Sequence, residues 1–356
     1  MIQVKTSNGV LLILEERPLG KGGEATVHRI INAPPQYKNC CIKIYNNPKP
    51  EIKEKIEFIV KNPITVQHNL VGFLRICTPK ELIFDSQNRA FKGYIMPLAF
   101  DGSYTLQKLL TRPKTISWHK EYDLNTANGF RRNLGLCQNI ALITYLVHTA
   151  GLMLNKNSGG YVLVDMKPEN IMVTKDAQVS LIDFDSIQVN VTGKKVFHAS
   201  VRSPEYASPE VLKHNNQQPL HYTSDNFTLA LILYKVMCGL NPYAGSLKGA
   251  GGTETAQAIL GGFYPHGKRR SSFISIPKQH ERVNLLSEKI RKAFEQTLSE
   301  SIEFPLKRAS AQDWGIMLAE ELKSNDYANK RKVMPNIGIA STINKASVNP
   351  SRLFWS

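Results

Sequence analysis

The sequence is short of acidic residues, of paired cysteines and of long apolar runs, and each shortage removes a class of protein. Its 29 Asp and Glu stand against 45 Lys and Arg, a formal charge of +16. Such a balance suits an acidic partner or a phosphate-rich ligand. The five cysteines (Cys40, Cys41, Cys77, Cys137, Cys238) are odd in number and show no CxxC spacing, which leaves neither a disulfide framework nor a zinc ribbon and fits a reducing, cytoplasmic setting. The most apolar stretches, IALITYLV at 140–147 and FTLALILYKVMCGL at 227–240, fall short of the ~20 residues that span a bilayer and read as buried helices. MIQVKTSNGV lacks the charged-then-apolar pattern of a signal peptide. Aromatics make up 8% of the chain and do not interleave the basic stretches GKRRSS at 267–272 and NKRKV at 329–333, which argues against a nucleic-acid-stacking platform.

What is present is enough apolar material, 42% of 356 residues, for one large domain or two lobes. The first hundred residues are strand-like. IQVKT and VLLIL flank a turn, and β-branched runs recur at ATVHRII, CCIKIY, KELIFD and FKGYIMPL. One helix interrupts them at EIKEKIEFIV, with Ile52, Ile56 and Ile59 at helical spacing and an Asn-Pro stop. From about residue 105 the texture turns helical, with long patterns at FRRNLGLCQNIALITYLVHTA, SDNFTLALILYKVMCGL, RVNLLSEKIRKAFEQTLSE and SAQDWGIMLAEEL. The expected fold is α+β and bilobal: a strand-rich lobe over 1–98, a helical lobe over 99–323 and a polar, basic tail over 324–356.

Four polar constellations interrupt this apolar frame. LGKGGEATV at 19–27 lies between two strand patterns, and Gly20, Gly22 and Gly23 let backbone N–H groups approach a phosphate chain. In CCIKIY, alternation puts Ile42 and Ile44 on one face and Lys43 on the other. Glu51, Glu54 or Glu57 on the following helix could pair with that lysine and hold it toward a nucleotide. VDMKPENIMV at 164–173 sets Asp165, Lys167 and Asn170 in a turn. An aspartate there can accept a hydroxyl proton, a lysine two residues on can neutralise a phosphoryl group, and an asparagine five on can bind a divalent cation. In LIDFDSIQV, Asp183 ends a strand and is a second oxygen ligand, set beside Asn170 by a hairpin.

In order and spacing these segments resemble the protein kinase superfamily: a glycine-rich loop, a strand lysine, D-x-K-P-E-N, and D-F-D where D-F-G is usual. RSPEYASPEV at 202–211 resembles the peptide-binding loop, SDNFTLALILYKVMCGLNPY the central buried helix, and KRASAQDW the late R-x-S motif; the match runs from about 15 to 320. The resemblance implies Asp165 as catalytic base, Lys167 as the phosphate-neutralising residue, and Lys43 on the α and β phosphates of ATP, paired with Glu54. It further implies Asn170 and Asp183 as ligands of Mg²⁺, with Mn²⁺ as a substitute. Gly20, Gly22, Gly23 and Ala25 would cover the phosphates. Val27, Cys41 and Met172 would sandwich the adenine, with the hinge at Met96 to Leu98. Glu210 would clamp Arg308, and Asp225 would support the catalytic loop.

Lys167 after the aspartate, and Ser203 where a supporting threonine usually stands, are similar to kinases that phosphorylate serine and threonine of a protein substrate. GKGGEATV, LIDFDSIQV, PEYASPE and RASAQDW resemble a bacterial group associated with helix-hairpin-helix modules, or encoded beside von Willebrand-type domain proteins and phosphatases. No helix-hairpin-helix follows Leu322. The rival readings are a nucleotide-binding pseudokinase scaffold and a basic nucleic-acid-binding module. Three departures stand out. Ala25 replaces a third glycine. Leu163 and Val164 replace His-Arg, which implies an activation segment that orders without phosphorylation. Asp185 replaces glycine, and its expected place is a surface or capping carboxylate, the alternative being an extra metal ligand. The run RRSS makes Ser271 or Ser272 a candidate autophosphorylation site, with a solvated loop as the plainer reading.

Overall fold

The computed structural model describes residues 1–324 apart from 158, 192–195, 200–202, 215–217 and 249–254, so the expected tail and its NKRKV run lie outside the described residues. The small lobe is a seven-stranded antiparallel sheet. Its strands are β1 (Ile2–Thr6), β2 (Leu11–Leu14), β3 (Gly20–Lys21), β4 (Ala25–Arg29), β5 (Cys40–Tyr45), β7 (Glu81–Asp85) and β8 (Phe91–Pro97), in the order β2-β1-β7-β8-β5-β4-β3. Alternation in β5 works as the sequence suggests: Cys40 and Ile42 enter a core with Leu12, Leu14, Ile83 and Ile95. Cys41 and Tyr45 enter a second core on the other face with Tyr94, Met96 and Ile56. The register places Lys43 between Val27 and Tyr94 in one row across β4, β5 and β8. Gly93 permits this row to close, since a Cβ there would lie 1.9 Å from the Lys43 carbonyl oxygen.

Helix α1 (Pro50–Lys61) opens on Pro50, whose missing N–H costs nothing at the first helical position, and stops at Asn62 before Pro63. It buries Ile56 and Ile59 as the spacing predicts, and also Lys55, which it does not. Between α1 and β7 runs β6 (Leu74–Ile76), which stands outside the small-lobe sheet and pairs in parallel with Val179–Leu181 of the large lobe.

The large lobe is built on α3 (Ala127–Leu154) and α5 (Thr223–Cys238), with α2 (Leu106–Thr111), α4 (Pro209–His214), α6 (Thr255–Leu260), α7 (Glu288–Glu295) and α8 (Ala311–Ser324) around them. Thr126 caps α3 by accepting the Gly129 N–H, and α5 ends on Gly239 at φ 83°, the left-handed stop that glycine adopts without strain. Helix α3 is long and apolar enough to cross a membrane by composition, but 72% of its apolar window is buried inside the protein, against α8 and α5. The pattern RVNLLSEKIRKAFEQTLSE is not one helix. Its RVNL belongs to a 3₁₀ segment over Lys278–Leu285, Leu286 is extended, and α7 then passes into a π turn over Gln296–Glu300.

Short strands line the face toward the small lobe: β9 (Tyr104–Thr105), β11 (Ile171–Val173) and β12 (Val179–Leu181) join β6 in one sheet, and β10 (Tyr161–Val162), β13 (Gln188–Asn190) and β14 (Val196–Phe197) form another. These carry the turns on which the polar residues sit.

Buried polar groups pin the large lobe. His280 presents Nε2 to the Ala244 carbonyl at 2.9 Å, so that nitrogen carries the proton and Nδ1 accepts from the Tyr234 hydroxyl at 2.7 Å. Burial pushes its pKa down from 6.5 to about 4. The folded value lies below the unfolded one, so this stabilisation is full above about pH 6.5 and is lost as pH falls through the interval to about 4. In urea melts, the gap in midpoint between the native protein and His280→Asn is therefore expected to narrow from pH 7 to pH 4. A gap independent of pH contradicts the neutral, buried state.

Candidate active site

A cleft of about 830 Å³ between the lobes gathers the motifs: Gly20 to Ala25 and Val27 above, Lys43 and Cys41 from β5, Met96 and Pro97 from β8 with Leu98 just after it, and Asp165, Lys167, Asn170, Met172 and Asp183 below. That volume suits a nucleotide-sized ligand. β11 and β12 form the hairpin read from the sequence; the Ile182 N–H donates to the Asn170 carbonyl at 2.9 Å and holds the two turns side by side.

The turn that carries Asp165, Lys167 and Asn170 is over-determined. Asp225, at the start of α5 and 1% exposed, accepts the N–H of Leu163 at 2.8 Å and of Val164 at 3.0 Å, and meets His148 Nε2 at 3.0 Å. Val164 sits at φ 49°, a strained conformation for a β-branched residue, and those two bonds hold it there. The strain turns the chain so that Asp165 faces the cleft. Its Oδ2 accepts from Lys167 Nζ at 2.5 Å, and its buried Oδ1 has no partner among the described residues. Lys167 Nζ also reaches Ser203 Oγ at 3.2 Å, tying this turn to the segment that holds Ser203. Asn170 donates through Nδ2 to the Asp165 carbonyl at 3.1 Å.

Asp183 adopts the left-handed conformation at φ 61° while Phe184 is buried and packs edge-on to Tyr161 at 5.9 Å. The aromatic ring anchors the turn in the large lobe and leaves the preceding carboxylate on the cleft.

Two expectations are corrected here. Lys43 does not pair with Glu54, which lies exposed on α1. Its ammonium donates to Asp183 Oδ1 at 2.5 Å and to Asp185 Oδ1 and Oδ2 at 2.7 and 2.9 Å. Nor is Asp185 a surface or capping carboxylate: it accepts in addition from the hydroxyls of Tyr45 at 2.5 Å and Tyr94 at 2.7 Å, and 10% of its side chain is exposed. Burial alone would discharge this acid, but Lys43 and the two tyrosines overcome it and hold its pKa below the ordinary carboxylate value. Asp183 moves the other way, raised by burial and then by the charge of Asp185, with Lys43 opposing. Burial works against the Lys43 ammonium too, and the charges of Asp185 and Asp183 more than offset it, so its pKa stands above the usual lysine value. Alternation predicted the direction of Lys43; the partner could not be read because Tyr45 and Tyr94 meet Asp185 only in the fold.

The hinge carries residues that the sequence reading missed. Arg75 of β6 lies over the Phe100 ring at 4.1 Å and donates to the Leu98 carbonyl at 2.9 Å, and Cys77 joins Cys41 in lining the cleft. An arginine flanked by leucine and isoleucine in a short strand gives no local signal for this clamp.

Further from the cleft, Arg308 is wholly buried and donates to Glu210 Oε1 at 2.7 Å and to the Thr223 carbonyl at 3.1 Å. Val164 packs with Val162, Ala199, Ala207, Val211 and Leu220 in an apolar cluster under the activation segment. Ser271 and Ser272 close a short 3₁₀ turn and stand exposed or partly exposed.

The protein kinase domain family model matches residues 13–314. The chain belongs to the protein kinase family. Among characterised relatives it is 28% identical over 248 residues to the protein kinase YegI of Escherichia coli, covering 68% of this chain and 34% of that one. It is 26% identical over 239 residues to the serine/threonine-protein kinase PKH3 of Eremothecium gossypii, covering 64% of this chain and 28% of that one. The chain thus spans about a third or less of the length of these two relatives. Two solved structures share the fold at 16% identity and cover 93% of this chain and 86% of each of theirs. They are the ROP18 kinase domain in complex with AMP-PNP and sucrose, with a TM-score of 0.57, and ROP2 of Toxoplasma gondii, a virulence factor with a protein-kinase fold and no enzymatic activity, with a TM-score of 0.58.

Proposed function

We propose that the protein transfers the γ-phosphoryl group of ATP to a serine or threonine hydroxyl of a protein substrate. The observation that carries this reading is the meeting of Asp165, Lys43, Lys167, Asn170 and Asp183 around one cleft, with the buried Oδ1 of Asp165 left without a partner among the described residues. A buried carboxylate oxygen left without a donor is costly, and an acceptor hydroxyl supplies that donor.

The attacking hydroxyl oxygen forms the new P–O bond as the bond to the β–γ bridging oxygen breaks; ADP leaves with that electron pair and Asp165 receives the hydroxyl proton. Lys167, bridging Asp165 and Ser203, neutralises charge on the group in flight and ties the base to the loop that presents the substrate. Lys43 holds the proximal phosphates, and the glycine-rich turn closes over them. The oxygen donors Asn170 and Asp183 fit a hard divalent cation such as Mg²⁺: Asn170 spends its amide N–H on Asp165, which leaves its amide oxygen as an acceptor, and Asp183 borders the cleft. Such an ion, when bound, neutralises the phosphates and orients them.

The apolar cluster around Val164 supports an activation segment that orders without a phosphate, since it packs methyl groups where a phosphate-binding arginine is usual. Phosphatase-treated protein is accordingly expected to keep its activity within about twofold, a change worth under half a kcal/mol. Loss of all activity on that treatment contradicts it. A bacterial origin and partnership with a von Willebrand-type domain protein and a phosphatase belong to the same proposal and rest on the motif resemblance, and a cytoplasmic setting rests on the odd, unpaired cysteines.

The test is incubation with radiolabelled ATP, Mg²⁺ and a generic basic acceptor protein, followed by phosphoamino-acid analysis. Phosphoserine or phosphothreonine is expected. Nucleotide binding without transfer makes the protein a scaffold, phosphotyrosine overturns the acceptor class, and salt-sensitive retention on DNA revives the nucleic-acid reading.

A further inference from the structure

We infer that Asp185 is the positioning residue for the nucleotide lysine, replacing a glutamate on α1 as the carboxylate that holds Lys43; this rests on the phosphotransfer site proposed above. Lys43 needs a buried anion that stays with it when Asp183 turns to other work. Asp183 cannot supply this alone, because its carboxylate borders the cleft and 37% of its side chain is exposed. Asp185 can. It contacts Lys43 with both oxygens at 2.7 and 2.9 Å, and the Tyr45 and Tyr94 hydroxyls fix it from β5 and β8, the strands that flank and carry the lysine. All four groups therefore move with the small-lobe sheet and the Asp183 turn rather than with α1.

On α1 the face toward the cluster carries the opposite charge. Lys55 is buried, one turn before buried Ile59, and the anions that act on it most are Asp185 and Asp183. Its Nζ reaches the His198 carbonyl at 3.3 Å, and Phe58 packs on Phe197 at 6.0 Å, so α1 is pinned to the activation segment beside β14 instead of to Lys43. The Lys43 charge reaches Lys55 and repels it, where it would attract a carboxylate, so the pairing is left to residue 185. This also accounts for aspartate where glycine is usual: the side chain has three donors waiting for it. In this arrangement, displacement of α1 does not by itself release Lys43.

The test measures nucleotide affinity with a fluorescent ATP analogue, and KM against kcat for transfer, on the full chain. Asp185→Asn is expected to weaken nucleotide binding and raise the KM for ATP about 10- to 100-fold, the loss of a charge-assisted hydrogen bond, and Tyr94→Phe to do so by about threefold. In an Asp185→Gly background, Lys55→Glu is expected to recover most of the lost affinity and Lys55→Met is not, a split that a merely structural role would not produce. Glu54→Gln is the contrast arm. Affinity and KM for Asp185→Asn within twofold of the native protein, an equal loss with Glu54→Gln, or equal behaviour of the Glu and Met exchanges at 55 overturns the assignment. If Asp185→Asn fails to fold, Tyr94→Phe and the residue-55 pair decide alone. A native protein that binds nucleotide in an Asp185-dependent way yet transfers nothing sinks the kinase reading and leaves this one standing; one that binds no nucleotide sinks both.

Discussion

Asp165→Asn is expected to cut the turnover of phosphoryl transfer by about 10²- to 10⁴-fold, the usual contribution of a positioned general base, while nucleotide affinity stays near that of the native protein. Asparagine keeps the shape and leaves the Asn170 bond to the residue-165 carbonyl in place, but it cannot take up the hydroxyl proton. It also removes the anion that holds Lys167 at 2.5 Å, so part of the loss comes from a misplaced charge on the transferred group. The loss should appear in kcat with little change in the KM for ATP, because Lys43 and the glycine-rich turn are untouched. Single-turnover kinetics and nucleotide titration separate the two; a mutant within tenfold of the native turnover removes Asp165 from the chemistry.

The largest effect on stability is expected at Glu210. Arg308 has no solvent exposure, and Glu210 is its anionic partner. Truncation to alanine leaves a buried guanidinium with backbone carbonyls of Thr223 and Ser301 alone. Breaking a buried pair in this way costs about 3–5 kcal/mol. The lower end applies, because Glu210 keeps 22% of its side chain exposed to water. For a domain of this size that corresponds to a fall in Tm of about 5 °C. Glu210→Ala combined with Arg308→Met should lose less than Glu210→Ala alone, since the second change removes the stranded charge. A double mutant as unstable as the sum of both singles shows that the residues act independently.

The first of these sites was legible in the sequence because its residues' spacing along the chain fixes their relation in space, whereas Glu210 and Arg308, 98 residues apart, were paired only by the motif resemblance. Asp165, Lys167 and Asn170 share one turn, and the β11–β12 hairpin that brings Asp183 beside Asn170 has its own alternating pattern. Period-two alternation also gave the apolar face of β5 behind Ile42, while the second core, behind Cys41 and Tyr45, is visible only in the fold. What the sequence did not disclose is the pairing of side chains whose strands meet only after folding. Tyr45 and Tyr94 sit in unremarkable strand settings and Asp185, conspicuous where glycine is usual, has no partner within its own motif; their hydroxyl and carboxylate groups converge because β5, β8 and the Asp183 turn come together. Lys55 was hidden by its neighbours: Glu54 beside it resembles the expected pairing residue, yet one position along a helix turns a side chain by about 100°, from the buried face to the exposed one. The strain at Val164 was equally invisible, since only the bonds from Asp225 oblige a β-branched residue into the left-handed region. The late helix pattern failed for a different reason: apolar spacing continues through Leu285 and Leu286, but the extended backbone at Leu286 resets the helix at Ser287.

The burial of Asp185 also alters what a mutation at Asp183 would mean. Because Lys43 touches both carboxylates, Asp183→Asn leaves the lysine held, so any loss it causes reports on cation binding and not on a released ammonium.

The measurement that tests the central claim most directly is a crystal structure of the full chain with Mg²⁺ and a non-hydrolysable ATP analogue. The account predicts the metal on Asn170 and Asp183, the proximal phosphates on Lys43 with Asp185 still paired to it, and the free oxygen of Asp165 turned toward the terminal phosphate. A triphosphate bound elsewhere, or one in the cleft with Lys43 drawn away from Asp185 and paired to α1, contradicts it.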